Sequence, residues 1–490
     1  TNTDFVTLST VGSRVVNEFV TPGVTFSSYF ARLKYDYNDR YIIAAVVRRD
    51  GSSRFGAENR FGTFPAVSLA WRLTGESFMA NQSFFDDLKL RGGWGIMGNS
   101  NNVDPNNQFS LFGTSIGASS YDIGGTNSSA AEGFYRTRIG NPNARWEKAI
   151  TTNIGLDALM LDGALDLGVE LWRKKTEDLL FQAPVSVMTG GFASAPSVNI
   201  GEMLNTGLDL FLSYRGGNTG GFSYEVGITG GFLNNEIVAL SDGIESLPNR
   251  SSSYRGITPV LNQVGSPISS FYGYEVVGLF ENDAAVAAAA TQEGAAPGRF
   301  QFADLNNDGL IDIEDRTVLG SPVPDFTGGL NIELDYGNFG LDLYSYASVG
   351  NEIFNASKVF TDFYPLFPGA AISDRVLDSW TPTNTGATIP VFETVSNFST
   401  NTQSNSFYVE DGSYFRLQNV TLSYELPTSL LENRSLQNVR FYGGVNNILT
   451  LTSYSGKDPS IGGAADTNFG IDLGNFPITR SWTFGLDVTF

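Results

Sequence analysis

The sequence predicts an all-β chain, an antiparallel up-and-down transmembrane β-barrel, on three observations. Apolar and polar residues alternate with period two along nearly the whole chain. Many of the alternating segments are longer than the ~5–6 residues usual in soluble sheets. The connections between them alternate short and long without a break. In an up-and-down barrel this sorts every long loop to one side and every short turn to the other, the asymmetry of outer-membrane barrels.

The clearest alternation sets Leu165, Leu167, Val169 and Leu171 against Asp166, Gly168, Glu170 and Trp172. Leu330, Ile332, Leu334 and Tyr336 alternate with Asn331, Glu333 and Asp335, and Phe339, Leu341 and Leu343 with Gly340, Asp342 and Tyr344. Strands are predicted near 26–37, 40–48, 62–73, 86–96, 145–160, 164–181, 202–215, 222–234, 325–336, 338–350, 412–426, 437–450 and 478–490. Residues 5–20 carry the pattern of one more, for about 13–14 strands in all. The short connections are 38–39, 74–85, 161–163, 216–221, 337 and 427–436. The long ones are 49–61, 97–144, 182–201, 235–324, 351–411 and 451–477. Aromatics gather at strand ends, as in Tyr35, Tyr37 and Tyr41 or Tyr336 and Phe339, where a bilayer interface favours them.

Composition narrows the chemistry. The 490 residues carry a net charge of −21, which argues against nucleic acid, whose binders need basic faces. The absence of Cys removes disulfides and thiolate sites, and the absence of His removes the Ser-His-Asp triad and the HExxH zinc site. The Gly-x-Ser-x-Gly at Gly113–Gly117 resembles a nucleophile elbow, but no His exists to activate Ser115. The longest apolar runs, Tyr41–Val47 and Ala284–Ala290, fall far short of the ~20 residues of a membrane helix. Barrel strands need only ~9–11 residues and hide within neutral hydropathy. The competing reading, a secreted calcium-binding β-sandwich or adhesin array, accounts for the acidity but not for the long strands or the sorted loops.

Residues 304–315 read Asp-Leu-Asn-Asn-Asp-Gly-Leu-Ile-Asp-Ile-Glu-Asp. Asp304, Asn306 and Asp308 occupy positions 1, 3 and 5 of a calcium loop, with Gly309 at the sharp turn. Leu310 offers its carbonyl at position 7, Asp312 fits position 9 and Asp315 position 12. Asp in place of the usual Glu at position 12 is shorter, so Mg2+ is an alternative to Ca2+. The loop parity puts this segment, within the long 235–324 connection, on the extracellular side.

The terminal strand sets Trp482, Phe484, Leu486, Val488 and Phe490 on one face, resembling the closing strand signature of outer-membrane barrels. Longer stretches resemble the SusC/RagA family of TonB-dependent outer-membrane transporters of Bacteroidota. They are Phe30–Gly56 (FARLKYDYNDRYIIAAVVRRDGSSRFG), Phe64–Leu73 (FPAVSLAWRL), Leu88–Asn99 (LKLRGGWGIMGN) and Asn141–Asp157 (NPNARWEKAITTNIGLD). Arg299–Asn355, Ser413–Pro427 (SYFRLQNVTLSYELP) and Val439–Ile461 (VRFYGGVNNILTLTSYSGKDPSI) continue the likeness in the family's order. The resemblance implies a barrel of roughly 22 strands with an internal plug. It also implies uptake of oligosaccharides or peptides, powered through TonB, ExbB and ExbD, and a SusD-like surface lipoprotein as lid. It implies no enzyme. Residues 1–490 would then be the C-terminal portion of the barrel, with the plug, the TonB box and the first strands on another chain or outside this sequence; the other reading is a truncated relative of the family. The alternative function is a plug-less porin or a surface adhesin barrel. A glycosidase using paired carboxylates is disfavoured, because inward-facing Asp and Glu account for most of the acids. The sequence singles out no substrate-binding residue.

Overall fold

The computed structural model describes residues 23–490 except 115–118, 123, 126–130, 132, 183–192, 219, 242, 249–252, 366, 432–435 and 461–468. The strand expected at 5–20 and Ser115 therefore lie outside the described residues. Thirteen strands form one antiparallel sheet in strict chain order. They are β1 (Phe26–Tyr37), β2 (Tyr41–Ser52), β3 (Phe61–Arg72), β4 (Phe85–Asn99), β5 (Glu147–Met160), β6 (Leu165–Gln182), β7 (Ser197–Gly217), β8 (Phe222–Leu240), β9 (Phe326–Tyr336), β10 (Phe339–Val349), β11 (Tyr414–Glu425), β12 (Asn438–Thr452) and β13 (Ser481–Thr489). Each of the thirteen strands expected from the sequence is present. The ends differ: β8 runs on to Leu240 and β7 starts at Ser197, so the wall rises higher at the loop end than alternation alone suggests. No helix among the described residues is long and apolar enough to cross a membrane.

The turns explain the pairing. The β9–β10 turn is two residues, Gly337 and Asn338, and Gly337 takes φ +60°, open to a residue without Cβ. Asn38 and Asp39 adopt φ 54° and 52° between β1 and β2, a conformation short polar side chains tolerate. Both turns fix register, and register decides faces, since successive side chains point to opposite sides of a sheet. Ile332 pairs with Leu343, Leu343 with Val420, Val420 with Val445 and Val445 with Trp482. At the other edge Leu33 pairs with Ala45, Ala45 with Val67 and Val67 with Trp94. The apolar positions of all thirteen strands thus share one face, here called outward, and Lys34, Arg91, Glu170, Asp209, Glu333 and Asp342 share the other.

Two aromatic girdles bound the outward face. Tyr37, Tyr41 and Trp71 are register partners at the turn end, as are Tyr336, Phe339, Tyr424 and Phe441. Phe61, Trp94, Phe232, Phe326 and Trp482 stand toward the loop end. Phe232 and Phe326 pair directly, with ring centroids 5.0 Å apart. On β3, Phe61 and Trp71 are separated by about 33 Å of strand. At the usual tilt of about 40° this gives a height of about 25 Å, that of an outer-membrane apolar band. Among the described residues β1 and β13 each pair on one side only.

Candidate functional site: inward face and loop lobes

The inward face carries the charge that the outward band lacks. Lys89 Nζ lies 2.8 Å from Asp157, Arg91 Nε 3.1 Å from Asp157, and Arg91 also contacts Glu170. Asn153 Nδ2 donates to Glu170 at 2.9 Å. Lys89, Arg91, Asp157 and Glu170, with Asp87, Asp166, Asp209 and Phe211, line a groove of about 620 Å³. Glu225, Glu333 and Asp342 stand side by side across β8, β9 and β10, which accounts for part of the acidity of the chain. Across β11–β13 the inward face is amide and hydroxyl. Asn419 donates to Asn446 at 2.9 Å, Asn446 to Ser481 at 3.1 Å and Thr421 to Asn419 at 3.1 Å, above a groove of about 420 Å³ that also holds Arg440, Tyr442 and Asp487. This surface offers hydrogen bonds and charge of both signs to whatever fills the lumen.

All the long connections leave the sheet at the same end, and the described residues of those after β8, β10 and β12 fold together. The connection after β8 begins at 241, not 235. It contains short strands at Ser246–Pro248, Val260–Gln263, Ser270–Tyr274, Val276–Leu279, Phe300–Phe302 and Arg316–Gly320. The apolar run at 284–290 supplies most of a short helix, Asp283–Ala288, capped by Asn282, whose side chain accepts the Ala285 N–H. This connection packs with those after β10 and β12 around one core of Phe271, Tyr274, Phe300, Phe302, Phe354, Phe363, Tyr408 and Ile471, all buried. A second lobe, over β2–β6, is built on Phe55, Phe64, Val103, Trp146 and Leu180.

Buried ion pairs tie the first lobe across long sequence separations. Lys358 reaches Glu410 at 2.8 Å, with side-chain exposures of 9% and 14%. Burial pushes the Glu410 carboxyl up, but Lys358 and the Ser455 N–H and hydroxyl more than offset this and hold it below the usual carboxylate range. Arg375 forks onto the buried Asp362 at 2.8 and 3.2 Å. Arg416, at the top of β11, holds Asp458 at 2.7 Å and so fastens the final loop to the wall. Tyr454 donates to Asp472 at 2.6 Å, and burial followed by that bond pushes its phenol far up. Sequence reasoning named none of these residues, because partners 13 to 52 positions apart leave no local pattern.

Three of the chain crossings between this lobe and the wall each carry a carboxylate: Asp325 before β9, Glu352 after β10 and Asp411 before β11. Glu352 accepts the Ser321 N–H at 2.7 Å, yet burial, then the charges of Asp325 and Asp411, push its carboxyl above the usual range. A carboxyl raised on folding favours the assembled neck while it is protonated. That contribution is present below its unfolded pKa and is lost as pH rises through the folded value. Glu352→Gln is therefore expected to increase hydrogen-exchange protection of residues 350–355 at pH 7 and to leave it unchanged at acidic pH. Equal protection of both forms at pH 7 removes Glu352 from the balance.

The expected metal loop lies on the surface of this lobe. Asp304 accepts the N–H groups of Asp308 (3.2 Å) and Gly309 (2.9 Å), and Asn306 also accepts that of Asp308 (3.0 Å). Gly309 has φ +83°, the sharp turn the motif requires. Leu310 N donates to Asp308 at 2.8 Å. Asp312 instead caps a single 3-10 turn, Ile313–Asp315, and the buried Asp315 accepts from Leu305 and Asp312. Among the described residues no three acidic side chains converge on one point. The loop thus gathers Asp304, Asn306 and Asp308 around its turn, while Asp312 and Asp315 lock its C-terminal half to the backbone. The donor set is all oxygen, the chemistry of a hard cation.

An outward face whose central band is free of charge, aromatics toward both of its ends, a charged inward face and loops gathered at one end define the wall of a membrane-spanning β-barrel. The chain belongs to the TonB dependent receptor-like β-barrel family, whose model matches residues 1–448. It is 34% identical over 475 residues to TonB-dependent receptor P3 of Formosa agariphila, covering 94% of this chain and 45% of that protein. It is 29% identical over 476 residues to TonB-dependent receptor SusC of Bacteroides thetaiotaomicron, covering 95% of this chain and 44% of that one. The RagAB peptide transporter structure shares the fold with a TM-score of 0.78 at 24% identity, over 95% of this chain and 47% of that chain. The chain spans about half the length of the relatives it matches. The family is one of receptors and transporters, not of enzymes.

Proposed function

We propose that this chain is the C-terminal wall and loop lobe of an outer-membrane nutrient importer that takes up oligosaccharides or peptides. The observation that carries this reading is the outward face, whose central band holds no charged residue on any of the thirteen strands. The two single-sided edges support the presence of further strands, because unpaired backbone in hydrocarbon costs several kcal/mol per group. The preceding strands and the plug would complete the barrel, and TonB with ExbB and ExbD would act through that N-terminal part. A SusD-like lipoprotein would close over the lobes, which face outside the cell. Native isolation from outer membranes in mild detergent, with mass spectrometry of every polypeptide, is expected to return a plug-bearing segment and a surface lipoprotein. A lone chain stable in detergent would favour the porin or adhesin reading instead.

Asp304, Asn306, Asp308, the Leu310 carbonyl, Asp312 and Asp315 would hold Ca2+, with Mg2+ as the weaker alternative because of its stricter octahedral demand. The role is structural: neutralising the loop's carboxylates would stiffen the outer surface of the first lobe. Millimolar calcium is expected to slow proteolysis within 300–320, and Asp304→Ala is expected to raise the calcium midpoint by about tenfold or more, equivalent to about 1.4 kcal/mol. Identical cleavage with calcium and with chelator removes the ion from the reading.

A further inference from the structure

The outward face is not uniform at its two ends. Applying the register to every wall strand, four cations fall on that face: Arg49 on β2, Lys148 on β5, and Arg173 and Lys175 on β6. All four lie at the loop end, and none lies at the turn end. The remaining lysines and arginines of the wall strands, among them Arg32, Lys34, Arg72, Lys89, Arg91, Arg215 and Arg440, point inward. Arg173 follows Leu165, Leu167, Val169 and Leu171 on the same face of β6. It stands about 26 Å along the strand from Leu165 at about 3.3 Å per residue, and so about 20 Å in height, close to the top of a band about 25 Å tall.

The partners of these cations differ. Lys175 is bracketed by Glu177 at 3.0 Å and Glu202 at 2.9 Å, and Lys148 lies 3.4 Å from Asp178. Arg173 and Arg49 are exposed and have no carboxylate partner among the described residues, although Arg49 sits over the Phe61 ring at 5.3 Å. Arg173 shares a register row with Thr152 and Trp94. Each unpaired guanidinium therefore has an aromatic of the upper girdle on the same face and bulk lipid below it. A cation fixed at that height, with a long stem along apolar surface, meets the phosphate layer of the membrane.

We propose that Arg49 and Arg173 are contact points for the phosphates of anionic lipids in the leaflet on the loop side. The proposal rests on the membrane-spanning reading above. A guanidinium suits this role because its planar fork donates two parallel hydrogen bonds to a phosphate. Lys175, already held by two carboxylates, braces the patch rather than binding lipid. The two contacts lie on separate strands, so each acts independently.

The test uses the full-length protein in nanodiscs of phosphatidylcholine with and without phosphatidylglycerol, followed by native mass spectrometry of retained lipid. Wild type is expected to retain phosphatidylglycerol over phosphatidylcholine, and Arg173→Gln and Arg49→Gln each to lower that preference by about fivefold. Arg173→Lys should keep most of it, and the inward Lys34→Gln should change nothing. An undiminished preference in the Arg173→Gln, Arg49→Gln double variant overturns the proposal. So does a wild type without preference, while the membrane reading survives either result. Protein that stays monodisperse without detergent or lipid overturns both.

Discussion

Phe300→Ala is expected to open the first loop lobe while leaving the wall intact. Phe300 is fully buried and lies between Phe407 (centroids 5.2 Å apart) and Phe363 (5.7 Å), with Phe302 stacked at 6.4 Å. Removing a buried ring of this kind costs about 3–5 kcal/mol, through lost transfer energy and the cavity left behind. The loss falls on a core shared by three connections, so it should appear as rapid proteolysis at sites in both 241–325 and 350–413. The thirteen-strand sheet does not depend on that core and should keep its β-sheet circular dichroism. Leu377→Ala, at a side chain 83% exposed on the same lobe, should stay within about 0.5 kcal/mol of wild type. Equal protease resistance of the Phe300 and Leu377 variants would mean that the lobe has no cooperative core.

The second large effect lies in the wall. Leu343 pairs with Ile332 on one side and Val420 on the other, near the middle of the outward band. Leu343→Arg puts a cation there and is expected to cost about 2–4 kcal/mol, the penalty for Arg on the lipid face at the bilayer midplane. Asp342→Asn, one residue away and facing inward beside Glu333, should leave stability unchanged or slightly improved by relieving like-charge contact. Refolding into lipid against urea, with the intact full-length protein, measures both. Comparable midpoints for the two variants would mean that the two faces of β10 are not in different solvents.

The contrast between wall and lobe also shows what a sequence reveals. Strand β6 was legible because eight consecutive residues alternate, from Leu165 to Trp172, with Leu165, Leu167, Val169 and Leu171 all on the outward face. The sorted connections were legible for the same reason, since chain parity alone assigns loops to an end. The interior of those connections was not. A three-residue strand such as Phe300–Phe302 has no period to detect, and its burial is decided by Phe363 and Phe407, more than sixty positions further on. Lys358 and Glu410 read as ordinary surface charges until the fold buries both. The metal loop shows the intermediate case. Its spacing fixed the turn at Gly309 correctly, while the capping box between Asp312 and Asp315 depends on how the following turn packs.

The most direct measurement exploits the absence of cysteine from the chain. Single cysteines at Leu343, at Thr383 in the lobe and at Asp39 in a turn can be treated with a membrane-impermeant maleimide on intact cells. A membrane-spanning wall with its loops outside predicts rapid labelling at Thr383 and labelling at Asp39 only after the envelope is permeabilised. It predicts none at Leu343 while the protein remains folded in the membrane. Labelling at Leu343 as fast as at Thr383 would contradict the central claim, because it would place the outward band in water.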